Sequence, residues 1–424
     1  MQHSPSYYFY LIVTSALLLI MWLGFRLLSK WHPFYSRKSF TYMYWVLSLG
    51  SLAYLPLSRY FRLMDGSAGS LFQSLTYGVY AWLVGLVALI LIMAVLYLLR
   101  LVANILGRHN RQSTQEKSVP VTETPTPAGS VISRRNFLQG LAVAAPATSW
   151  AVSGGGILVG DHYIAAQHHN LPFANLPSQL SGFKVAQLSD THVGTFFDMT
   201  KLDRVLSMIA SEHPDLLVIT GDMIDDLNLL TPAMERINRF AATMKHGIYY
   251  CWGNHEYFRD ISLIRAAWKV SPVKVLENSN VKILDGERPF YLVGVDYPWA
   301  TKKDDQQAVR RSFLSRALAG VPDNAFRLLI AHHPDFFDNS FDNNIELALA
   351  GHTHGGQVAL FGKSLLPIKY KYMRGLYERQ GNYGYVNVGA GHWLPFRLGC
   401  AAEVSFFTFR PASPPLSAKT SPGQ

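Results

Sequence analysis

The chain has 424 residues, enough for one sizeable globular domain and a second region. Hydrophobic residues make up 49% of it and the net charge is +10. Residues 1–160 hold 12 basic and three acidic residues, whereas the remainder holds 26 basic and 25 acidic ones. The C-terminal part therefore lacks the basic surface of a nucleic-acid binding protein, and nucleic acid is not an expected partner. Cys251 and Cys400 are too few and too far apart for a disulfide framework and are expected to be buried.

The N-terminal region contains three uncharged segments of the length that crosses a bilayer, at 7–25, 40–57 and 75–99. Tyr and Trp are frequent near their ends, as at membrane interfaces. We therefore predict three transmembrane helices within residues 1–107. The polar stretch 108–132, which contains Pro and Thr, is predicted to be an exposed linker.

Residues 133–160 begin with Ser-Arg-Arg-Asn-Phe-Leu and continue as an uncharged stretch rich in Ala and Gly. This resembles a twin-arginine export signal, although such signals normally open a chain. The alternative is a fourth transmembrane helix flanked by two arginines. Both interpretations give one topology, because the basic residues in 26–39 and 100–135 are expected on the cytoplasmic side. Everything after residue 160 is then expected on the outer side.

From 161 to 410 apolar runs typical of strands alternate with helical patterns, which predicts an α/β domain. The Pro- and Ser-rich residues 411–424 are predicted to be a disordered tail.

Five short apolar runs in this domain each end in residues that commonly bind metals. Ligand sites in open α/β sheets lie beyond the carboxyl ends of strands, so these residues are expected to meet in one crevice. The first three groups are also evenly spaced, about one strand–helix–strand unit apart. The runs are 183–188, 216–220, 248–252, 327–331 and 346–350, and the residues that follow them are Asp190 and His192, Asp222, Asn254 and His255, His332 and His333, and His352 and His354.

The order of these motifs resembles the signature of calcineurin-like metallophosphoesterases: Asp-x-His, Gly-Asp, Gly-Asn-His-Glu, His and Gly-His-x-His. Three longer motifs further resemble the membrane-linked bacterial YkuE/YaeI-type group: Leu-Ser-Asp-Thr-His, Ala-His-His-Pro-Asp and Gly-His-Thr-His-Gly-Gly-Gln. The resemblance covers about residues 170–410. Where that group has Cys-Pro-Pro-Glu, residues 400–403 read Cys-Ala-Ala-Glu, a departure away from the ligand positions. The resemblance implies an α/β sandwich of two mixed β-sheets flanked by helices, here preceded by transmembrane helices.

The resemblance also implies a centre of two divalent metal ions. Mixed imidazole, carboxylate and amide ligands favour Mn, Fe or Zn. A water shared by the two ions would become acidic enough to attack phosphorus as hydroxide. The residue after one ligand, His255, is implied to stabilise the transition state or to protonate the leaving oxygen. The implied ligands are Asp190, His192 and His354 for one ion, Asn254, His332 and His352 for the other, and Asp222 as the bridge between them.

Several nearby residues could take part in different ways. His333 could replace His332 as a ligand. Asp225 and Asp226 are expected to cap a loop. His392 and Arg397 lie in a Gly-rich loop that could reach a substrate.

These observations predict a membrane-anchored phosphoesterase, acting on a phosphomonoester or a phosphodiester in a bacterial cytoplasmic membrane. Membrane attachment suggests a lipid-linked or envelope substrate. Some members of the resembled family cleave a nucleotide-linked lipid A precursor, which makes that compound one example. One rival hypothesis is a membrane scaffold or sensor with a dormant phosphatase-like domain, but a dormant domain normally lacks ligands and here all seven ligand positions are filled. A second is an exonuclease, which the near-neutral charge of the C-terminal domain argues against. The sequence does not identify a protein partner.

Overall fold

The computed structural model describes residues 7–61, 66–114, 134–300, 303–365, 370–392 and 394–412. The chain divides into a helical unit over Pro5–Leu158 and a second unit that begins at Val159. Residues 115–132 of the predicted linker and 413–424 of the predicted tail lie outside the described residues.

The N-terminal unit is built from long helices. Its apolar segments lack the Gly and Pro clusters that end helices, so hydrogen bonding continues without interruption. The third helix continues to Thr114, into the segment predicted to be a linker. The helices are α1 (Tyr7–Trp31), α2 (Lys38–Phe61), α3 (Gly66–Thr114) and α4 (Arg134–His162), of which α4 belongs to the second unit from Val159 onward.

Helix α4 packs against α3 inside the N-terminal unit. The rings of Trp82 and Trp150 stack with centroids 5.1 Å apart, and the hydroxyl of Ser153 donates to the carbonyl of Ala81 at 2.8 Å. Gly85 makes room for this contact, because a Cβ there would overlap the indole of Trp150. The small residues of the Ala- and Gly-rich stretch thus allow close helix packing, as in membrane helix bundles.

Three of the described helices are long and apolar enough to cross a membrane, over Leu11–Trp31, Leu71–Leu106 and Val143–Gly160. Helix α2, which covers the second predicted span, contains more Tyr and Ser and is less apolar. Large apolar side chains such as Ile12, Leu91 and Val143 are exposed on the helices of this unit. An outer surface of this kind is stable in lipid and costly in water, so the unit is a membrane domain.

The C-terminal unit contains two six-stranded sheets. In the first, β2 to β5 are parallel and β14 runs antiparallel to β2. Its strands, in spatial order, are β1 (Ile164–Phe173), β14 (Ala402–Pro411), β2 (Lys184–Leu188), β3 (Leu216–Ile219), β4 (Ile248–Tyr250) and β5 (Lys274–Val275).

The second sheet is also mixed. Strands β7, β8, β9 and β13 are parallel, and β6 and β12 are antiparallel edge strands. Its strands, in spatial order, are β12 (Gly375–Arg379), β13 (Asn382–Val386), β9 (Leu347–Ala350), β8 (Phe326–Ile330), β7 (Phe290–Gly294) and β6 (Ser279–Leu284). A separate two-stranded hairpin consists of β10 (Ala359–Leu360) and β11 (Lys363–Ser364).

The sheets share a core and carry helices on their outer faces. The shared core is rich in Phe, including the fully buried Phe290, Phe326 and Phe409. Strands that are buried on both faces have continuous apolar sequences, and for this reason the strands could be predicted from the apolar runs. The helices are α5 (Met199–Ser211), α6 (Leu230–Ala241) and α8 (Ile261–Lys269) against the first sheet, α9 (Lys303–Ala317) and α10 (Phe336–Asp342) against the second, and the short α7 (Asn254–Phe258) after β4.

Helix α5 illustrates how the sequence specifies these elements. Asp198 caps it, since its carboxylate accepts from the backbone N–H of Lys201 at 2.9 Å. Leu202, Val205 and Ile209 recur at helical spacing and are buried against the sheet. The architecture confirms the predicted sandwich of two mixed sheets flanked by helices. Cys251 and Cys400 are free and buried, as predicted.

Candidate metal centre

The site lies where five strand ends meet. Strands β2, β3 and β4 of one sheet and β8 and β9 of the other are each followed by a loop that carries polar side chains. These loops bring all seven predicted ligands into one buried cluster. The side chains form three groups that could each hold a metal ion. The first contains Asp190, His192 and His354, the second contains Asp222, His332 and His352, and a third shares His192 with the first and adds Asp225 and His255.

The first group is compact. Nε2 of His192 lies 3.0 Å from Nε2 of His354, and the same nitrogen of His354 lies 3.5 Å from Oδ1 of Asp190. The backbone N–H of His352 donates to Asp190 at 3.0 Å, which fixes that carboxylate relative to the loop after β9.

The second group converges on an amide oxygen. Oδ1 of Asn254 lies 2.9 Å from Nδ1 of His352 and 3.2 Å from Nε2 of His332. The two ring nitrogens are themselves 3.2 Å apart. Asn254 therefore lies beside His332 and His352, the two residues with which the resemblance grouped it.

Asp222 lies between the two groups. Its Oδ2 is 3.1 Å from Nε2 of His332 and 3.8 Å from Nε2 of His192, so one oxygen faces an imidazole of each group. Its Oδ1 accepts from the backbone N–H of His255 at 2.8 Å. Burial raises the pKa of Asp222, but the nearby His332 and His255 lower it more, to well below its usual value. The carboxylate is therefore ionised.

The donor set is suited to divalent metal ions. In each group, the candidate nitrogen and oxygen ligand atoms lie within 4.8 Å of one another. Nδ1 of His332 donates to the carbonyl of Thr220 at 2.7 Å, which leaves Nε2 directed at the other ligands. Burial lowers the pKa of His332, but Asp222 raises it more, to about 10, so a bound metal ion would replace the proton on Nε2. Burial lowers the pKa of His352 and His354 well below the usual value, which leaves both rings neutral. Neutral imidazoles with a buried carboxylate are suitable ligands for a transition-metal ion.

The backbone of the site is strained. Five of the seven predicted ligands have a positive φ, a conformation that non-glycine residues rarely adopt. Each such residue costs about 1–3 kcal/mol and persists where surrounding structure enforces it, most often at functional sites. The residues and their φ values are Asp190 (51°), His192 (47°), Asp222 (51°), His352 (76°) and His354 (49°).

Two glycines allow the loops to approach each other. A Cβ on Gly253 would overlap the carboxylate of Asp222, and one on Gly351 would overlap Asp190. Any larger residue at either position would push apart two loops that carry ligands.

His255 is held by a carboxylate that the sequence analysis assigned to loop capping. Nδ1 of His255 lies 2.8 Å from Oδ1 of Asp225, whose other oxygen lies 3.4 Å from Nδ1 of His192. Arg259 pairs with Asp225 at 3.1 Å. Burial lowers the pKa of His255, but Asp222 and Asp225 raise it more, to about 9. The capping prediction is thus wrong for Asp225, although Asp226 does cap the next turn through the N–H of Asn228.

Glu256 is a second residue whose role the sequence did not indicate. Its buried carboxylate accepts from the backbone N–H groups of Asp222, Met223 and Gly253 at 2.7–3.1 Å. It therefore fastens the loop after β3 to the loop after β4. Its position in the Gly-Asn-His-Glu motif was the only available signal.

His333 and Arg397 each contact a predicted ligand from outside the two groups, since Arg397 lies 3.4 Å from Nδ1 of His354. The ring of His333 packs against His352, and its Nδ1 accepts from the N–H of Asp335, so the geometry favours His332 as the ligand. Arg397 is buried and donates to the carbonyls of Val388 and Gly391 at 2.8 and 2.6 Å. These contacts stabilise the loop of Arg397 behind His354.

Residues 183–356 match the family described as calcineurin-like phosphoesterase. Residues 6–161 match a second family, described as the transmembrane domain of a probable calcineurin-like phosphoesterase. The second match includes the whole of residues 133–160.

Full-length bacterial relatives are similar to this chain. The phosphodiesterase YaeI of Escherichia coli is 31% identical over 297 residues, which cover 65% of this chain and 98% of the relative. The uncharacterized metallophosphoesterase YkuE of Bacillus subtilis is 28% identical over 295 residues, which cover 66% of this chain and 98% of the relative. A transmembrane protein with a metallophosphoesterase domain from Danio rerio is 28% identical, and the alignment spans 57% of this chain and only 56% of that protein.

Among solved structures, a dimetal phosphatase from Danio rerio is similar at 13% identity and a TM-score of 0.30, over 49% of this chain and 88% of the other.

Proposed function

Because the chain belongs to the calcineurin-like phosphoesterase family, we propose that it is a membrane-anchored hydrolase that uses two metal ions to cleave a phosphomonoester or a phosphodiester. The observation that carries this proposal is the position of Asp222, whose carboxylate lies between two groups of metal-binding side chains. Two groups that share one carboxylate are suited to a pair of ions on one phosphate.

The residues would hold the ions as the sequence predicted: Asp190, His192 and His354 one ion, Asn254, His332 and His352 the other, and Asp222 both. The nitrogen-rich donor set favours Mn, Fe or Zn. When bound, the pair of ions would supply an acidic water as nucleophile and positive charge for the phosphoryl oxygens.

His255 would act on the leaving oxygen. Its Nδ1 faces Asp225, so the ring is fixed and Nε2 remains for a substrate atom. The ring also packs edge-on against His192 with centroids 4.5 Å apart, which holds it next to the first group of ligands. Phe258 and Trp299 lie in ring contact beyond it and offer an apolar surface to the leaving group.

We place the catalytic domain on the outer side of a bacterial cytoplasmic membrane and treat α4 as a retained fourth membrane helix. The support is the packing of Trp150 and Ser153 on α3 and the family match that includes 133–160. The basic residues of 26–39 and 100–135 would then face the cytoplasm. Attachment to the membrane favours a lipid-linked or envelope phosphoester, of which a nucleotide-linked lipid A precursor is one example.

The fate of α4 can be tested by changing Arg134 and Arg135 to Lys together. The positive-inside rule counts Lys and Arg alike, so a retained helix should still display the domain outside, at full chain length. A twin-arginine signal requires the arginines themselves. The readout is protease accessibility of the domain in intact cells, with an Arg134→Glu, Arg135→Glu variant as the control that changes charge. Loss of display in the Lys variant would contradict the retained helix.

The proposed activity can be tested on the purified full-length protein with a phosphomonoester, a phosphodiester and a lipid-linked pyrophosphate. We expect turnover of at least one substrate with added Mn, Fe or Zn, and loss of turnover with a chelator. Asp222→Ala supplies the inactive reference. A protein that binds its metals and hydrolyses none of the three would instead support the dormant scaffold.

A further inference from the structure

A small apolar hairpin extends from the catalytic domain. Strands β10 and β11 are joined by a turn at Phe361 and Gly362. Phe361 is 95% exposed, and Leu360 and Leu365 on either side are 54% and 58% exposed. Soluble surfaces seldom carry three large apolar side chains on one small protrusion, so this surface is suited to a partner.

The turn is built in an unfavourable way for a water-exposed loop. Both of its central residues have positive φ, 48° at Phe361 and 78° at Gly362, as in the two-residue turns that normally contain Asn-Gly. A bulky aromatic residue is an outlier in that conformation. The chain thus keeps a strained, exposed Phe at the tip, where a polar residue would suit both the turn and the solvent.

Short contacts connect the base of the hairpin to the end of a membrane span. Gly160 is the last residue of the apolar span Val143–Gly160 and belongs to the C-terminal unit. It packs on the backbone of Arg397, since a Cβ at Gly160 would lie 2.7 Å from that backbone nitrogen. The next residue, Leu398, accepts from the N–H of Ala359 in β10 at 2.8 Å.

We propose that the Leu360–Phe361–Leu365 hairpin tip inserts into the bilayer interface next to the exit of α4. From Ala359 the tip extends by only two residues, about 7 Å at 3.3 Å per residue, so it remains close to the membrane end of α4. The exposed Lys363 beside the tip matches the anionic phospholipid head groups of that interface. The partner of the tip is the bilayer, because α4 of the same chain leaves the bilayer within a few residues of the contact with the base of the hairpin.

The docked hairpin would also fix the metal centre relative to the membrane. Gln357, at the base of the hairpin, donates its N–H to the carbonyl of His354 at 3.0 Å, so the hairpin continues directly from the loop of two predicted ligands. This inference rests on membrane attachment and does not depend on the substrate proposed above.

The experiment uses the full-length protein with a polarity-sensitive fluorophore attached at Phe361→Cys, in vesicles of phosphatidylethanolamine and phosphatidylglycerol. The native cysteines, Cys251 and Cys400, are buried and should not be labelled, which the unmodified protein checks. A second label at Leu365→Cys guards against a local effect of one substitution. The matched control is Val270→Cys, which is 84% exposed beside β5 at the opposite edge of the first sheet from β1 and β14.

We expect blue-shifted emission at 361 and 365 and strong quenching by lipids brominated on the acyl chains, whereas 270 stays water-like and unquenched. Water-like emission without quenching at 361 and 365 would overturn the proposal. Shielded emission without quenching by brominated lipid would assign the tip to a protein contact and would overturn it as well. Neither readout involves phosphoester hydrolysis, so failure of the proposed activity and failure of the docking remain distinguishable.

Discussion

Replacing Asp222 by Ala is expected to remove nearly all phosphoesterase activity and to reduce the amount of bound metal. Asp222 lies in contact range of both ligand groups, at 3.1 Å from His332 and 3.8 Å from His192. Metal charge stabilisation is worth several kcal/mol, and each 1.4 kcal/mol is tenfold in rate, so we expect a loss of at least about 10³-fold. Turnover and metal content are measured on the same preparation.

The control for that experiment is Asp203→Ala. Asp203 is a half-exposed carboxylate on α5 that pairs with Arg236 at 2.9 Å, and surface pairs of this kind contribute little to stability. The control should keep both metal and turnover. Full activity in Asp222→Ala would be incompatible with a shared carboxylate and with the proposed centre of two ions.

Replacing His255 by Ala is expected to slow turnover while bound metal stays at the wild-type level. His255 belongs to neither predicted ligand set, and general acid–base groups typically contribute about 10²–10⁴-fold. The measurement pairs kcat with metal content. A loss of metal that accompanies the loss of turnover would make His255 a structural ligand, and unchanged kinetics would remove its role.

The contact between His255 and Asp225 makes this prediction sharper. Asp225→Asn should cost about 10–100-fold in turnover, by analogy with the range found for residues that orient metal ligands. If Asp225 acts through the ring of His255, and not through His192 at 3.4 Å from its other oxygen, the double variant should be little worse than His255→Ala alone. Asp226→Asn, one residue away and bonded to Asn228 in its own turn, is the matched control and should retain turnover. Additive losses would mean that Asp225 works independently of His255.

Much of the fold and the convergence of the site could be predicted from the sequence. Parallel strands buried on both faces give continuous apolar runs, and metal-binding residue types follow their carboxyl ends, so the convergence of five strand ends could be predicted. The grouping of His332 with Asn254, which are 78 residues apart and lie in loops of different sheets, came from the family resemblance. The observed ends of these strands differ from the predicted apolar runs by only one or two residues; the strand Leu216–Ile219, for example, was predicted as 216–220.

Other features depend on contacts between loops, which no local pattern encodes. Asp225 and Asp226 are chemically identical neighbours, and only the fold turns one toward His255 and the other toward its own turn. The sequence placed Arg397 in a Gly-rich loop, but it could not show that the guanidinium donates to backbone carbonyls of that loop and lies 3.4 Å from His354. Helix α3 continued to Thr114 because hydrogen bonding, once established, extends into polar sequence.

The central claim is that seven side chains from both sheets hold two metal ions. Its most direct test is the metal content of the purified full-length protein, measured by elemental mass spectrometry after loading with Mn, Fe or Zn and removal of loosely bound ions. We predict two ions per chain, falling when Asp190 or His332, one ligand from each group, is replaced by Ala. A wild-type protein that retains one ion or none would contradict the account.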